Sequence, residues 1–380
     1  MKNIIEEPSC SNEHSQNAIR SSNIELLRII AMFMVVLGHY YVKGGFPDDS
    51  LMTTSKLVMQ FLGSWSKIAV DIFVIISGYF LVTQKFRWKK ICKFFGCTYF
   101  WSLATLCFVL FVLNQNVEKS LIMKAVNPIT PLNWFARAYL VLYIAFPLIN
   151  KMIERINKTQ LGVIIAIFTT AFYVIPSIRG LSLGGYLNSF FMFADMYCIG
   201  AYLRLYSNDK FERTIEFVGG ISAVIFYAII LVSDYLGGSD PYYADKHNVM
   251  YHAFVGCSIL GLLMAVALFV LFKNWHLLHN SMINSVATTT FAVYLIHDNG
   301  VISAWLWNDI IRAGRFYDTV FLIPHMVLTA MVIFAVCSLM EFMREKILVD
   351  CKCKLNKIYQ ATISVEYTLS RKVSNSSSGL

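Results

Sequence analysis

The chain has 380 residues, of which 57% are hydrophobic and only 14% charged, with a formal net charge of +9. A soluble domain carries about 25% charged residues, so this composition excludes a large water-soluble core and predicts a polytopic helical membrane protein. The positive charge does not point to nucleic acid, because the basic residues lie between apolar segments.

Residues 1–22 are polar and read as a disordered N-terminal tail. The first apolar run lacks a small-x-small cleavage pattern, so no cleavable signal is expected. Ten candidate spans follow, at about 24–42, 67–84, 92–113, 134–150, 160–177, 188–205, 215–235, 249–272, 286–306 and 320–342. They make an all-α bundle of about ten transmembrane helices, one domain over 23–345. Segment 51–66 is semi-apolar and reads either as interfacial or as an extension of the second span. Residues 346–380 read as a polar C-terminal tail, disordered over Ser374-Asn-Ser-Ser-Ser-Gly-Leu380.

With the N-terminus taken as cytoplasmic, inner segments hold 21 Lys and Arg and outer segments hold 8. The positive-inside rule then puts both termini on the cytoplasmic side of a cell membrane. The nine cysteines are scattered and include no C-x-x-C pair, so neither a disulfide framework nor a metal site is expected. Cys351-Lys-Cys353, just past the last span, reads as incidental. No internal repeat is visible, which weakens a secondary-transporter reading built on duplicated halves.

The chemistry-bearing residues begin in the first span. Arg28 and His39 are eleven residues apart, which on a helix is three turns plus roughly 20°, so they share a face about 16 Å apart. Such groups inside a membrane are costly and mark a functional site by default; the alternative is a basic anchor at the helix mouth and an unrelated interfacial His. An imidazole titrates near neutrality and can act as a general base. No Ser or Cys lies one turn from His39, so a nucleophile on the same helix is not indicated.

The second span reads Val70-Asp71-Ile-Phe-Val-Ile-Ile-Ser77-Gly78-Tyr79. Asp71 can pair with a cation or orient a histidine, and Ser77-Gly78 reads as a site residue or as a close helix contact. After it comes Lys85-Phe-Arg87-Trp-Lys89-Lys90-Ile-Cys-Lys93, dense enough to grip a phosphate together with Arg28, although most of these cations also fit ordinary positive-inside charge. The fourth span opens with Trp134, placed for an interfacial belt, and Arg137, placed to snorkel outward. Asp195 lies mid-span in the sixth. His297, toward the outer end of the ninth, is equally an interfacial residue or part of a site.

Arg28-x10-His39, Val70-Asp-Ile-Phe with Ser77-Gly78-Tyr79, Trp134-Phe with Tyr143 and Pro147, and Thr290-Phe-Ala-Val-Tyr294-Leu-Ile-His297 follow one another in an order that resembles the acyltransferase-3 family of membrane acyltransferases. The likeness runs from about 23 to 345 and is strongest to stand-alone bacterial members that O-acetylate surface polysaccharides. It implies an acyl-CoA donor, acetyl-CoA for an O-acetyltransferase, and a hydroxyl of a cell-surface carbohydrate as acceptor. Arg28 and His39 match the family's essential pair. Lys90-Ile-Cys-Lys93 stands where the family has a basic R-x-x-R element, and lysine lacks the bidentate fork of arginine. Some relatives carry an extracytoplasmic hydrolase-like domain after the last span. None follows here, so transfer is expected either directly or through a separate partner protein. The resulting expectation is an integral membrane O-acetyltransferase in which Arg28, Lys90 and Lys93 hold the donor phosphates, His39 is the base and Asp71 or Asp195 orients groups. The competing expectation is a transporter or flippase of polar lipid or sugar that uses the same charges as a pathway.

Overall fold

Lipid offers no partner to a backbone N–H or C=O, so an apolar run that crosses it must close its own hydrogen bonds, as a helix does. The computed structural model describes residues 21–46, 53–127, 133–179, 186–237 and 258–377, and holds no strand among the described residues. The chain is an all-α, multi-pass membrane protein.

The helices follow in order. α1 is Ser22–Lys43 and begins where the polar N-terminal stretch ends; residues 1–20, read as a tail, lie outside the described residues. α2 (Thr54–Gly63), capped by the Thr53 hydroxyl accepting from the Lys56 N–H, runs on into α3 (Trp65–Leu81). The semi-apolar segment therefore extends the second span from residue 54 on. α4 (Trp88–Cys107) continues as a π-helical turn, Phe108–Val112, before the short α5 (Lys119–Val126). α6 is Trp134–Ile153. α7 (Lys158–Thr169) starts in a capping box of Asn157 and Gln160 and passes through a π-helical turn, Thr170–Val174, into α8 (Ile175–Arg179). α9 (Tyr186–Tyr206), α10 (Asp209–Gly237), α11 (Ile259–Asn274), α12 (Ser281–Ala287), α13 (Thr290–His297) and α14 (Leu322–Ser377) complete the bundle.

Seven of these stretches are long and apolar enough to cross a membrane: α1, α2 with α3, α4 with its π turn, α6, α7 to Ser177, α10 to Tyr235, and α14 to Cys351. α9 is a 21-residue helix over the sixth expected span. α11 covers part of the eighth, whose first residues lie outside those described.

The ninth expected span, 286–306, is not one helix. It is broken into α12 and α13, unwinds over 298–302 and resumes as a π-helical segment, Trp305–Ile311. The sequence supplies the breaks. The hydroxyls of Thr288 and Thr289 turn back onto the carbonyls of Ser285 and Val286, at 2.7 and 2.8 Å. Beyond His297, Asn299 Oδ1 accepts from the Val301 N–H at 3.0 Å. Short polar side chains that bond locally compete with the helix ladder in this way. Irregular backbone at membrane depth is tolerated where it is buried in protein or lines a cavity.

The C-terminal tail also departs from its reading. α14 continues without interruption to Ser377, so residues 346–377 are helical, including Ser374–Ser377; residues 378–380 lie outside the described residues.

Three contacts fix the helices that frame the site. α3 packs on α9 at glycines: a Cβ on Gly78 would stand 2.1 Å from the Tyr197 carbonyl oxygen, and one on Gly200 would stand 2.2 Å from that of Ile75. Small residues permit this approach, and the close contact read at Ser77-Gly78 belongs to Gly78. Asn150 of α6 then donates to the Leu81 carbonyl at 2.9 Å and accepts from the Tyr197 hydroxyl at 2.6 Å, tying α6 to α3 and α9. On the other flank, buried Glu341 of α14 accepts from the Trp101 indole of α4 at 2.8 Å and from Arg344 at 2.7 Å.

Candidate functional site

The 3.6-residue period of α1 puts Arg28, Met32, Val35 and His39 along one stripe, and all four line a cavity of about 640 Å³. α3 contributes Lys67, Val70, Phe73 and Ser77 at helical spacing, α6 contributes Trp134, Phe135 and Tyr139, and broken α13 contributes Thr290, Phe291 and Tyr294. Along α1 the cavity extends from Arg28 to Val42, about 21 Å at 1.5 Å per residue. Arg28, Lys93 and Glu345 stand at one end; Val42, Ser66, Lys67 and Trp134 stand at the other.

At the first end Arg28 pairs with Glu25, one turn earlier on α1, at 2.9 Å. Lys93, largely exposed, pairs with Glu345 of α14 at 2.9 Å. Lys90 does not line the cavity. Its ammonium donates to Gln84 at 2.9 Å, and it stands within the electrostatic field of Arg28 and Arg87. Of the lysines expected beside Arg28, the structure therefore brings Lys93 to the wall and leaves Lys90 behind it.

His39 lies toward the other end. Its Nδ1 is 2.9 Å from Nε2 of His297, and its Nε2 is 3.8 Å from Oδ1 of Asp298. His297 is fully buried, and its own Nδ1 is 2.6 Å from the Val293 carbonyl oxygen on α13. It is packed inside the protein beside His39. Asp298 forms an ion pair with Lys43, whose ammonium also donates to Ser303 at 3.0 Å. Asn133 holds the Asp298 backbone carbonyl at 3.0 Å. The break at the end of α13 is thus what turns Asp298 back toward His39.

Asp71 is placed elsewhere. It is not among the lining residues and is turned round α3 from them, where it hydrogen-bonds Tyr173 and lies in the field of Lys67 and Asp195. Asp195 is buried with it and accepts from Thr169 at 2.8 Å. The carboxylate beside His39 is Asp298, not Asp71. Ser77 is on the wall, where its hydroxyl meets that of Tyr139 at 3.2 Å while donating to the Phe73 carbonyl at 2.9 Å. Trp134 keeps 37% of its surface exposed at the second end, with the Lys67 ammonium 5.4 Å from its ring centroid. Arg137, one turn further along α6, is half-buried.

Lys43, Asp298 and Glu345 were not singled out from sequence. Lys43 is four residues after His39, on its helix face, and Asp298 is adjacent to His297, so both carried a local signal. Glu345 carried none, since its proximity to Lys93 arises only when α14 packs against α4.

One cavity thus runs from Arg28 and Lys93 to the half-buried His39, behind which lies the buried His297. The family model described as an acyltransferase domain matches residues 21–341. The chain belongs to the acyltransferase-3 family. No curated protein and no solved structure matches it. Membership makes the protein a membrane acyltransferase. Its match starts at the head of α1 and ends within the membrane part of α14, so Arg28, His39, His297 and Asp298 all lie inside it.

Proposed function

We propose that the protein is an O-acetyltransferase that takes an acetyl group from acetyl-CoA at the Arg28 end and passes it to a hydroxyl of a surface carbohydrate at the His39 end. The observation that supports this most is the continuity of one cavity from Arg28 and Lys93 to His39. Arg28 offers a planar guanidinium suited to phosphate, and Lys93 adds a mobile point charge. The acyl thioester, on its long arm, extends along the apolar stripe of Met32 and Val35 toward His39.

There the chemistry is an addition and elimination. The acceptor hydroxyl gives its proton to the His39 imidazole as its oxygen bonds to the thioester carbonyl carbon. The tetrahedral intermediate expels the CoA sulfur as the C–S bond breaks. The imidazolium returns the proton to that sulfur, leaving free thiol and an O-acetyl ester. The proton and electron pairs balance without a metal or redox partner. By the positive-inside count the Arg28 end is cytoplasmic, where acetyl-CoA is made, and the His39 end faces outward. A reporter at Leu380 is therefore expected to read as cytoplasmic, and one between residues 237 and 246 as external; the reverse pair of readings would place donor and acceptor on the wrong sides.

Arg28→Ala removes a charged hydrogen-bonding contact of about 1.5–3 kcal/mol, which corresponds to a rise of roughly 10–100-fold in KM for acetyl-CoA. It also leaves Glu25 buried without its partner, so Arg28→Lys is the better comparison: the ion pair survives but the fork is lost. An intermediate KM is expected for Lys. Washed membranes supplied with acetyl-labelled acetyl-CoA give the measurement, and an unchanged KM in both variants would remove Arg28 from the donor site.

A further inference from the structure

Histidine 39 has two ring nitrogens, and general-base catalysis needs one of them without a proton. Which one is free depends on a neighbour. The Val293 carbonyl oxygen is 2.6 Å from Nδ1 of His297, and a carbonyl brings no hydrogen, so His297 Nδ1 must carry the proton. In neutral His297 this leaves Nε2 as an acceptor. Nε2 of His297 faces Nδ1 of His39 at 2.9 Å, so the proton between the rings belongs to His39 Nδ1. Nε2 of His39 is then the bare nitrogen.

We infer that His297 is a positioning residue that sets the tautomer of His39, making Nε2 the base, and that Asp298 receives the imidazolium formed there. This inference rests on the acyl-transfer reading above. The geometry around Nε2 fits it. Asp298 Oδ1 lies 3.8 Å away, too far to hold a proton on the resting ring but close enough to stabilise the N–H that appears once the hydroxyl proton arrives. Lys43, bound to the same carboxylate oxygen, balances the Asp298 charge in the resting site. The chain of donors runs one way, from His39 through His297 to the Val293 carbonyl. Its last link is one turn of helix α13, and His297 is fully buried there. A second-sphere group that fixes a catalytic imidazole in this way acts without touching substrate.

The test has two readouts. In washed membranes with acetyl-labelled acetyl-CoA and the native acceptor, His297→Leu keeps the bulk but offers no acceptor. It is expected to lower kcat by about 10²-fold or more with KM for acetyl-CoA little changed. His297→Gln places an amide oxygen where Nε2 stood, and is expected to regain about tenfold over Leu. A purely structural role would lower the amount of folded protein in both variants without separating their kcat. The second readout needs no variant of His297. Nitrogen-15 solid-state NMR of histidine-labelled wild-type protein in bilayers, with the His39 signals identified as those lost in His39→Gln, is expected to show a protonated Nδ1 and a bare Nε2. A proton on Nε2 in the resting protein overturns the inference, as does a wild-type kcat in His297→Leu or equal loss in Leu and Gln. Undiminished transfer in His39→Gln would instead remove the base itself, while the tautomer stays readable by NMR.

Discussion

His39→Gln is expected to abolish nearly all acetyl transfer, by about 10²–10⁴-fold, the usual contribution of a general base. The substitution is chosen for what it keeps. A glutamine amide has a reach similar to the imidazole and can still donate to Nε2 of His297, so the wall between α1 and α13 should persist. What it cannot do is accept a proton at neutral pH. His39→Ala should be equally inactive, with a small void added to the cavity. Neither change should impair insertion, since α1 remains an apolar helix. Acetyl content of the surface glycan at matched protein level reports the effect, and wild-type acetylation in His39→Gln would eliminate the base role.

The largest loss of stability is expected from Glu341→Leu. Its carboxylate is 3% exposed and holds both Trp101 and Arg344, and Arg344 is itself 6% exposed. Removing one member of a buried pair leaves an uncompensated charge and typically costs about 3–5 kcal/mol. The lower end applies, because Arg344 also reaches Glu345 at 3.8 Å. The double variant Glu341→Leu with Arg344→Met removes both charges together. It should recover most of the lost melting temperature in detergent, since apolar replacement of a whole buried pair is often neutral. If the single and double variants melt alike, the loss does not come from an Arg344 charge left without its partner.

Helix α1 was legible from sequence because its apolar run is long and its polar residues are few, so the spacing of Arg28 and His39 translated directly into a shared face. The second span and the glycine contact at Gly78 were legible for the same reason. The neighbours of Asp71 are not legible, because sequence gives the height of a residue on a helix but not which element its face meets; the glycine contact turns that face to α9. The break at Thr288–Thr289 and the turn at Asp298-Asn299-Gly300 were hidden within an apolar window that hydropathy averages over. With them went the link between His39 and Asp298. The polar composition of 346–377 resembles that of a tail, while its Lys and Leu residues are also good helix formers.

Sided membrane vesicles test the central claim most directly. Acetyl-labelled acetyl-CoA, which does not cross the bilayer, is added outside inside-out vesicles and outside right-side-out vesicles of cells that express the wild-type protein or His39→Gln. Esterified label should accumulate on the glycan only in inside-out vesicles carrying the wild-type protein, with one free thiol released per ester formed. Glycan or lipid that crosses the membrane without acquiring label, to the same extent with His39→Gln, would contradict acyl transfer and assign the cavity to transport.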